Sequence, residues 1–409
     1  MDLEISDRLK PILANAVAFI ENEIMPLDQE FLDEVNVGDR WEHTDRQKEI
    51  LSTLKEKARA KNLWNFFLTD FDGGGGLTTV EYAYIAEATG KSHLAPEIFN
   101  CNAPDTGNME VFMNYATKAQ QDRWLQPLLA GDIRSSYAMT EPQVASSDAT
   151  NVEMSIVRDG DAWVLNGRKW FITGAMNERT KILIVMGKSD PSNASRHLQQ
   201  TQVLVPKDTA GLTLVRPLST FGYDDAPIGH AELIFENCRV PLDNVLLGEG
   251  RGFEIAQGRL GPGRMHHCMR LIGTGQRALE LACKRAVSRS TFGRKLSKHQ
   301  SVREDISRMF SEIEMARLLV LKTCYKIDEK GVAASIDMIA ATKTTIPLLI
   351  QNVIDRAMQM HGAGGLTADY CMAEGFNYAR WCRQADGPDQ VHQMSLGKQI
   401  IERYSGEKA

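Results

Sequence analysis

The sequence predicts an α+β multidomain chain, helical at both ends with an antiparallel β-barrel or sandwich between, and three observations carry that prediction. Apolar residues recur at helical spacing over residues 1–135 and again over 246–409. Residues 136–245 instead hold short runs rich in β-branched residues, broken by turn dipeptides. The 409 residues, 43% hydrophobic and 24% charged, are enough for two or three domains with a large core.

In the first zone the spacing predicts a helix from Thr44, with Gln47 in the capping-box position and Ile50, Leu51, Leu54 and Ala58 following on one face. A second is predicted from Thr78, with Glu81 as its box partner and a stop at Gly90. The Gly73–Gly76 run lacks the Lys-Ser/Thr of a phosphate loop, so it reads as a flexible connection. In the second zone Asp159-Gly160 and Asn166-Gly167 are hairpin signals, and KILIVMG, TQVLVP, LTLVRPL and HAELIFE are strand runs. In the third, the run from Val332 to Met360 is too apolar for a solvated face, which predicts packing in a helical bundle or against another subunit.

Several function classes lack their minimal parts. The net charge of -6 gives no general attraction to nucleic acid or anionic membranes, so neither partner is expected. Seven scattered cysteines have neither zinc spacing nor a disulfide framework; no metal is expected, and a reducing compartment is. The acidic, amphipathic N-terminus resembles neither a secretory signal nor a transit peptide, and no apolar run reaches membrane-spanning length, so the expected location is cytoplasmic, without membrane insertion. A GxGxxG after a strand, an HExxH helix, a GxSxG elbow and a Walker sequence are all missing.

Five segments carry the chemistry. The first two are YAMTEPQVASSD, Tyr137 to Asp148, and NGRKWFITG, Asn166 to Gly174. Singly they read as ordinary barrel residues. Together they resemble the flavin-contacting strands of the acyl-CoA dehydrogenase family, and the order of helical and β zones resembles that family over essentially the whole chain. The resemblance implies an N-terminal helical domain, a middle antiparallel β-barrel and a C-terminal four-helix bundle. It also implies FAD, in contact with Tyr137, Met139, Thr140, Phe171, Ile172 and Thr173. A flavin ring needs a flat apolar wall and a few hydroxyl or N–H partners, and Met139, Thr140 and Phe171 to Thr173 offer both. The family usually has Trp where Phe171 stands. Its substrate-binding serine, which bonds the CoA portion, maps to Ser147, with Ser146 as a rival because one extra residue lies between Pro142 and Asp148.

The third segment, RSTFGRKLSKHQ, is by itself a basic helix end and loop. The resemblance places Arg289, Thr291, His299 and Gln300 around the FAD pyrophosphate and adenosine, partly from a neighbouring subunit. Arg289 and the Gly293 turn offer the donors a pyrophosphate needs. The fourth, QMHGAGGL, ends the long apolar helix with more glycine than a cap requires. It resembles the family's QxxGGxG element, which makes Gln359, Gly362 and Ala363 cofactor contacts, with Ala363 replacing the second glycine. The fifth is QADGPDQVH. There the resemblance makes Asp386 the catalytic base, where most members carry Glu, Gly387 a substrate-side N–H, and Pro388, Asp389 and Gln390 an FAD-contacting stretch. A second base location used by some members holds Gly263 here, and the neighbouring Arg264 matches a substrate-side arginine that either braces the active-site loop or meets the ligand.

The activity so implied is formation of a trans-2,3 double bond in a fatty acyl-CoA. Asp386 removes the α-proton, a hydride leaves the β-carbon for flavin N5, and the electrons pass to electron-transfer flavoprotein. The implied assembly is a dimer of dimers. The segment TEPQVASSDAT and the Asp base resemble the subgroup of acyl-CoA dehydrogenase family members 10 and 11, which suggests medium-to-long or 4-hydroxylated acyl groups. Acyl-CoA oxidases share the motifs but are usually longer. Two-component flavin monooxygenases share the fold but typically lack the carboxylate. A nucleic-acid-binding flavoprotein would want a basic surface.

Overall fold

The computed structural model describes residues 5–68 and 75–407. Of the expected glycine loop, Gly73 and Gly74 lie outside the described residues. The chain divides into two compact units, one formed by residues 1–28, 57–99 and 261–409, the other by 29–56 and 100–260.

The first unit is helical. The helix Thr79–Thr89 begins where the sequence places it: Thr78 accepts from the Glu81 N–H and the Glu81 carboxylate accepts from the Thr78 N–H, with Gly90 as C-cap. Its free N-terminal amides are also satisfied by Asp328, which accepts from Thr79 N at 2.8 Å and Val80 N at 3.0 Å, an anion at the positive end of the helix. This helix lies against the long helix Gly252–Ser288 at glycine contacts. A Cβ on Gly273 would stand 1.9 Å from the Glu87 carbonyl oxygen, so only glycine permits the approach. The helices Leu9–Phe19, Gln300–Lys330, Ile336–His361, Met372–Cys382 and Asp389–Ser405 belong to the same unit.

The stretch Ala333–Leu366 is long and apolar enough, by length and composition, to cross a membrane, which the sequence expectation had denied. Its apolar residues are explained by packing within the unit. Ile339, Ile346, Ile350, Val353, Ile354 and Ala357 recur at helical spacing and are buried, while Asp337 and Arg356 form ion pairs with neighbouring helices. It reads as the core helix of a bundle.

The second unit is built on a seven-stranded sheet of β1 (Arg134–Ala138), β2 (Ser155–Asp159), β3 (Ala162–Thr173), β4 (Thr180–Lys188), β5 (Gln200–Pro206), β6 (Leu212–Pro217) and β7 (His230–Pro241). The order is β1-β4-β2-β3-β7-β6, with β5 added alongside β4. The pairs β2–β3, β3–β7, β6–β7 and β4–β5 are antiparallel as expected; β1 runs parallel to β4, and Ser155 of β2 meets Lys188 of β4 in parallel. Inward residues such as Ile156, Leu165, Leu183, Val185, Val203, Val205, Leu233 and Phe235 form its core.

The Asp159-Gly160 signal makes a two-residue hairpin, with Asp159 opposite Ala162 and Gly160 at φ +62°. The Asn166-Gly167 signal does not. It falls inside β3, where the register against β7 shifts and the Asn166 side-chain oxygen accepts from Asn237 N at 2.7 Å. A Cβ on Gly167 would come within 2.7 Å of the Met154 side chain, so this glycine marks a bulge with a close strand approach. In the same unit Thr44 and Gln47 form the reciprocal cap expected for the helix Asp45–Ala60.

Candidate active site

In the sheet unit, the two motif segments are joined by a buried ion pair. Lys169, on β3, has no exposed side-chain surface; its Nζ donates to Glu141 Oε1 at 2.8 Å and to the Met139 carbonyl at 2.7 Å. Glu141 is itself held by the amides of Glu153 and Met154. Burial pushes the Lys169 ammonium down to about 8 against the opposing pull of Glu141. One residue along, Trp170 N donates to Thr140 O at 3.0 Å, so Met139 to Glu141 and Lys169 to Thr173 are locked side by side.

The end of β3 is strained. A second register shift lies between Lys169 and Ile172, and Phe171 sits within it at φ +53°, a genuine outlier for an aromatic residue. The bulge leaves the Phe171 ring 38% exposed beside Trp170 at 5.0 Å, whereas Ile172 is turned into the core. Thr173 is half-buried and its hydroxyl meets His230 Nδ1 at 3.0 Å. Tyr137 receives a hydrogen bond from Gln202 at 2.8 Å and lies under the Arg259 guanidinium. In the following loop the two candidate serines differ. The Ser146 hydroxyl accepts from Glu141 N at 2.8 Å and closes the turn, while Ser147 is exposed.

In the helical unit Asp386 also adopts a left-handed backbone, φ +54°, which aspartate tolerates better than most residues. Its carboxylate is 18% exposed, with Oδ2 3.7 Å from His267 Nε2. Its carbonyl oxygen accepts from Arg264 Nε at 2.9 Å and lies 3.2 Å from His392 Nε2. Arg264 therefore braces the loop that carries Asp386. His392 is driven down to about 4 by burial and by the nearby cations Arg264 and Lys343, so it is a neutral partner. A Cβ on Gly387, at φ +102°, would come within 2.9 Å of that ring, and Arg383 fixes the far end of the loop through Asp389 at 2.8 Å. A Cβ built on Gly263 would stand 3.5 Å from Asp386 Oδ2, so the two alternative base positions converge on one place.

Of the other predicted contacts in this unit, Thr291 lies in a small hairpin, Ser290–Thr291 and Arg294–Lys295, flanked by Arg289, His299 and Gln300, and its turn residues Phe292 and Gly293 both have positive φ. Phe292 is 95% exposed. His299 stands at the N-cap position of the helix Gln300–Lys330 without a side-chain capping bond. Gln359, Gly362 and Ala363 are exposed at the end of Ile336–His361, with Gly362 left-handed at its C-cap. Pro388 precedes and caps the last helix, Asp389 is buried, and Gln390 is exposed.

The chain matches three family descriptions in succession: the acyl-CoA dehydrogenase N-terminal domain over residues 6–132, the middle domain over 136–238 and the C-terminal domain over 250–401. The chain belongs to the acyl-CoA dehydrogenase family. It is 49% identical over 406 residues to mouse acyl-CoA dehydrogenase family member 10, covering 98% of this chain and 38% of that protein. It is 48% identical over 392 residues to chicken acyl-CoA dehydrogenase family member 11, covering 95% of this chain and 50% of that protein. The chain thus spans half or less of the length of these relatives. A proposed acyl-CoA dehydrogenase from Mycobacterium tuberculosis, FadE2, is 48% identical over 355 residues, 87% of this chain and 86% of that one. Among solved structures, a proposed acyl-CoA dehydrogenase from Mycobacterium abscessus superposes with TM-score 0.94 at 44% identity, covering 98% of this chain and 100% of that chain.

The cofactor of the acyl-CoA dehydrogenase family is FAD, and the residues present fit it. The sheet unit offers the exposed Phe171 ring in its bulge and the Thr173 hydroxyl at the end of β3, as a flavin ring requires; the hairpin of the helical unit and its flanks offer Arg289, Arg294, Lys295 and Lys298 to an anionic pyrophosphate. Four residues escaped the motif reading. His267 beside Asp386, Tyr378 donating or accepting at 2.8 Å from His267 Nδ1, and His230 behind Thr173 come from elements distant in sequence, where no spacing rule links them. Phe292 lay inside a motif, but only its exposure singles it out.

Proposed function

We propose that this chain is an FAD-dependent acyl-CoA dehydrogenase that oxidises the α,β bond of a fatty acyl-CoA to the trans-2-enoyl-CoA, with Asp386 as its base. The observation that carries this is the placement of Asp386: a carboxylate held on a braced left-handed loop, converging with Gly263 on one base position. The bracing by Arg264 acts on the backbone carbonyl, and the carboxylate Oδ2 faces His267 Nε2 at 3.7 Å.

Asp386 removes the α-proton. The Gly387 N–H is the donor for the thioester oxygen as it gains negative charge. FAD, when bound, would supply the hydride acceptor at its N5, with electron-transfer flavoprotein as the onward electron acceptor. Phe171 gives that ring its wall, and Thr140 and Thr173 its hydroxyl partners. Ser147 is the serine for the CoA portion, because Ser146 is occupied by its own turn. Assembly as a dimer of dimers is supported by exposed apolar residues on two C-terminal helices, among them Phe310, Met315, Met394, Ile401 and Tyr404.

The test is anaerobic single-turnover reduction of the bound flavin by acyl-CoA of varied chain length. Asp386→Asn should retain FAD and acyl-CoA yet reduce its flavin ~100- to 10,000-fold more slowly, the usual loss on removing a positioned base. Asp386→Glu, which restores the commoner family residue, should keep measurable activity. Reduction of the Asn variant at the parent rate would overturn the assignment.

A further inference from the structure

Just ahead of the proposed base in the chain, a buried lysine ends on the backbone, and the reaction as described does not use it. Lys343, on the helix Ile336–His361, is 1% exposed, and its Nζ donates to the carbonyl of Cys382, the last residue of the helix Met372–Cys382. Among the described residues no carboxylate pairs with this ammonium. Taking an ammonium out of water is costly unless negative charge lies nearby. The C-terminus of a helix supplies part of that charge, because its last carbonyls form the negative pole of the helix dipole.

The carbonyls of the turn that follows show what else the lysine touches. Arg380 O accepts from Arg383 N, Trp381 O from Gln384 N and Ala385 N, and Arg383 O from Asp389 N. Cys382 O is bonded by Lys343, and Asp386 O by Arg264 Nε at 2.9 Å, with His392 Nε2 at 3.2 Å. Two cationic side chains therefore hold the turn, Lys343 where it leaves the helix and Arg264 at Asp386 itself. The charges of Lys343 and Asp386 also act on the same neighbours, the Cys268 and Cys382 thiols and the His392 ring. Burial pushes both thiols up to about 12, His392 down to about 4 and His266 down to about 3, so these four groups are neutral at neutral pH. The remaining groups around the carboxylate are His267, with Nε2 3.7 Å from Oδ2, and Arg270, whose charge acts on His266 and both thiols. Asp386 thus stands among cations brought by two helices, Arg264 and Arg270 on Gly252–Ser288 and Lys343 on Ile336–His361.

We propose that Lys343 is a positioning residue for the base: from its seat on the Cys382 carbonyl, its ammonium anchors the turn that carries Asp386 and keeps the Asp386 carboxylate ionised, ready to take the α-proton. This rests on the reading of Asp386 as the base. The sign follows from charge. An ammonium favours a carboxylate over a carboxylic acid, so removing it lets the base take up a solvent proton at a higher pH. A lysine with only a structural role would lower stability, or the rate at every pH, without moving that point.

The readout is the pH profile of anaerobic single-turnover flavin reduction in the holoenzyme, at a saturating concentration of whichever acyl-CoA reduces the parent fastest, together with FAD content per chain. In the parent the rate should fall on the acid side as Asp386 takes up a proton. Each profile is scaled to its own alkaline plateau, so a general loss of rate cannot imitate a displaced limb. In Lys343→Met the acid limb should lie roughly half to one pH unit higher, which makes reduction on the limb roughly three- to tenfold slower than in the parent. Should Lys343→Met fail to fold, Lys343→Gln serves: it keeps an N–H donor on a slightly shorter arm while deleting the charge, and its limb must move the same way. An acid limb at the parent pH, or at a lower one, in folded, FAD-loaded Lys343→Met or, in its place, Lys343→Gln overturns the inference. A parent flavin that no acyl-CoA reduces, or Asp386→Asn reducing its flavin at the parent rate, would instead overturn the proposed function.

Discussion

Replacing Lys169 by Met tests how the sheet unit holds its two motif segments. The ammonium of Lys169 is fully buried and bonds Glu141 at 2.8 Å and the Met139 carbonyl at 2.7 Å. Methionine fills similar volume but leaves Glu141, with 2% of its side chain exposed, as an uncompensated buried carboxylate whose remaining donors are the amides of Glu153 and Met154. Removing one partner of such a pair costs about 3–5 kcal/mol, well above the strain of a one-atom change in shape. The double variant Lys169→Met with Glu141→Gln deletes both charges and should recover part of that loss, giving a coupling of about 0.5–3 kcal/mol. The assay is denaturant unfolding of the flavin-free protein, with FAD dissociation measured separately on the loaded protein. FAD should leave faster from Lys169→Met, because Met139 and Thr140 lose their tie to the strand bearing Phe171 and Thr173. A single variant within about 1 kcal/mol of the parent, or a double variant whose loss relative to the parent equals the sum of the two single losses, would refute the reasoning.

Asp337 offers a pH test with a definite sign. Burial raises its pKa, but hydrogen bonds from Lys326, Arg403 and the Met338 amide outweigh that and hold it at about 2, below the ordinary 3.8. A folded value below the unfolded one means stability that is present above about pH 4 and lost as the pH falls through 2. Asp337→Asn should therefore cost about 2 kcal/mol at pH 7 and almost nothing near pH 2, read from denaturant midpoints across the range; a pH-independent difference would contradict the assignment. Arg264→Met removes the charge-assisted bond to the Asp386 carbonyl, worth about 1.5–3 kcal/mol where formed. It should slow flavin reduction by acyl-CoA at least tenfold while FAD content stays at the parent level, and an unaltered rate would show that the loop does not need this brace.

What the sequence revealed was what short-range chemistry decides. The capping boxes at Thr44 and Thr78 need only residues three apart, and the Gly160 hairpin needs only two adjacent ones, so each stands where the local pattern puts it. Asn166-Gly167 carries the same local signal yet becomes a bulge, because β7 supplies Asn237 and the residue before β2, Met154, supplies the crowding, and neither is visible from the dipeptide. The same limit applies to the proposed site. His267 and His230 stand beside Asp386 and Thr173 through pairing of distant elements, so no spacing rule could nominate them.

The backbone at the two key positions follows a related logic. Asp386 at φ +54° is within the habits of aspartate, but Phe171 at φ +53° runs against the preference of every aromatic residue. A left-handed non-glycine residue costs on the order of 1–2 kcal/mol, which a free segment would relieve by relaxing. Neither segment is free: Lys169 and Trp170 pin the chain just before Phe171, and Arg264, His392 and Arg383 pin the loop around Asp386. In both places buried polar contacts, formed only after folding, hold a conformation that local sequence disfavours or leaves undecided. The side chains that result, an exposed ring and a poised carboxylate, are the ones the proposed chemistry needs, so local motifs name these two residues while their backbone geometry comes from contacts made by the fold.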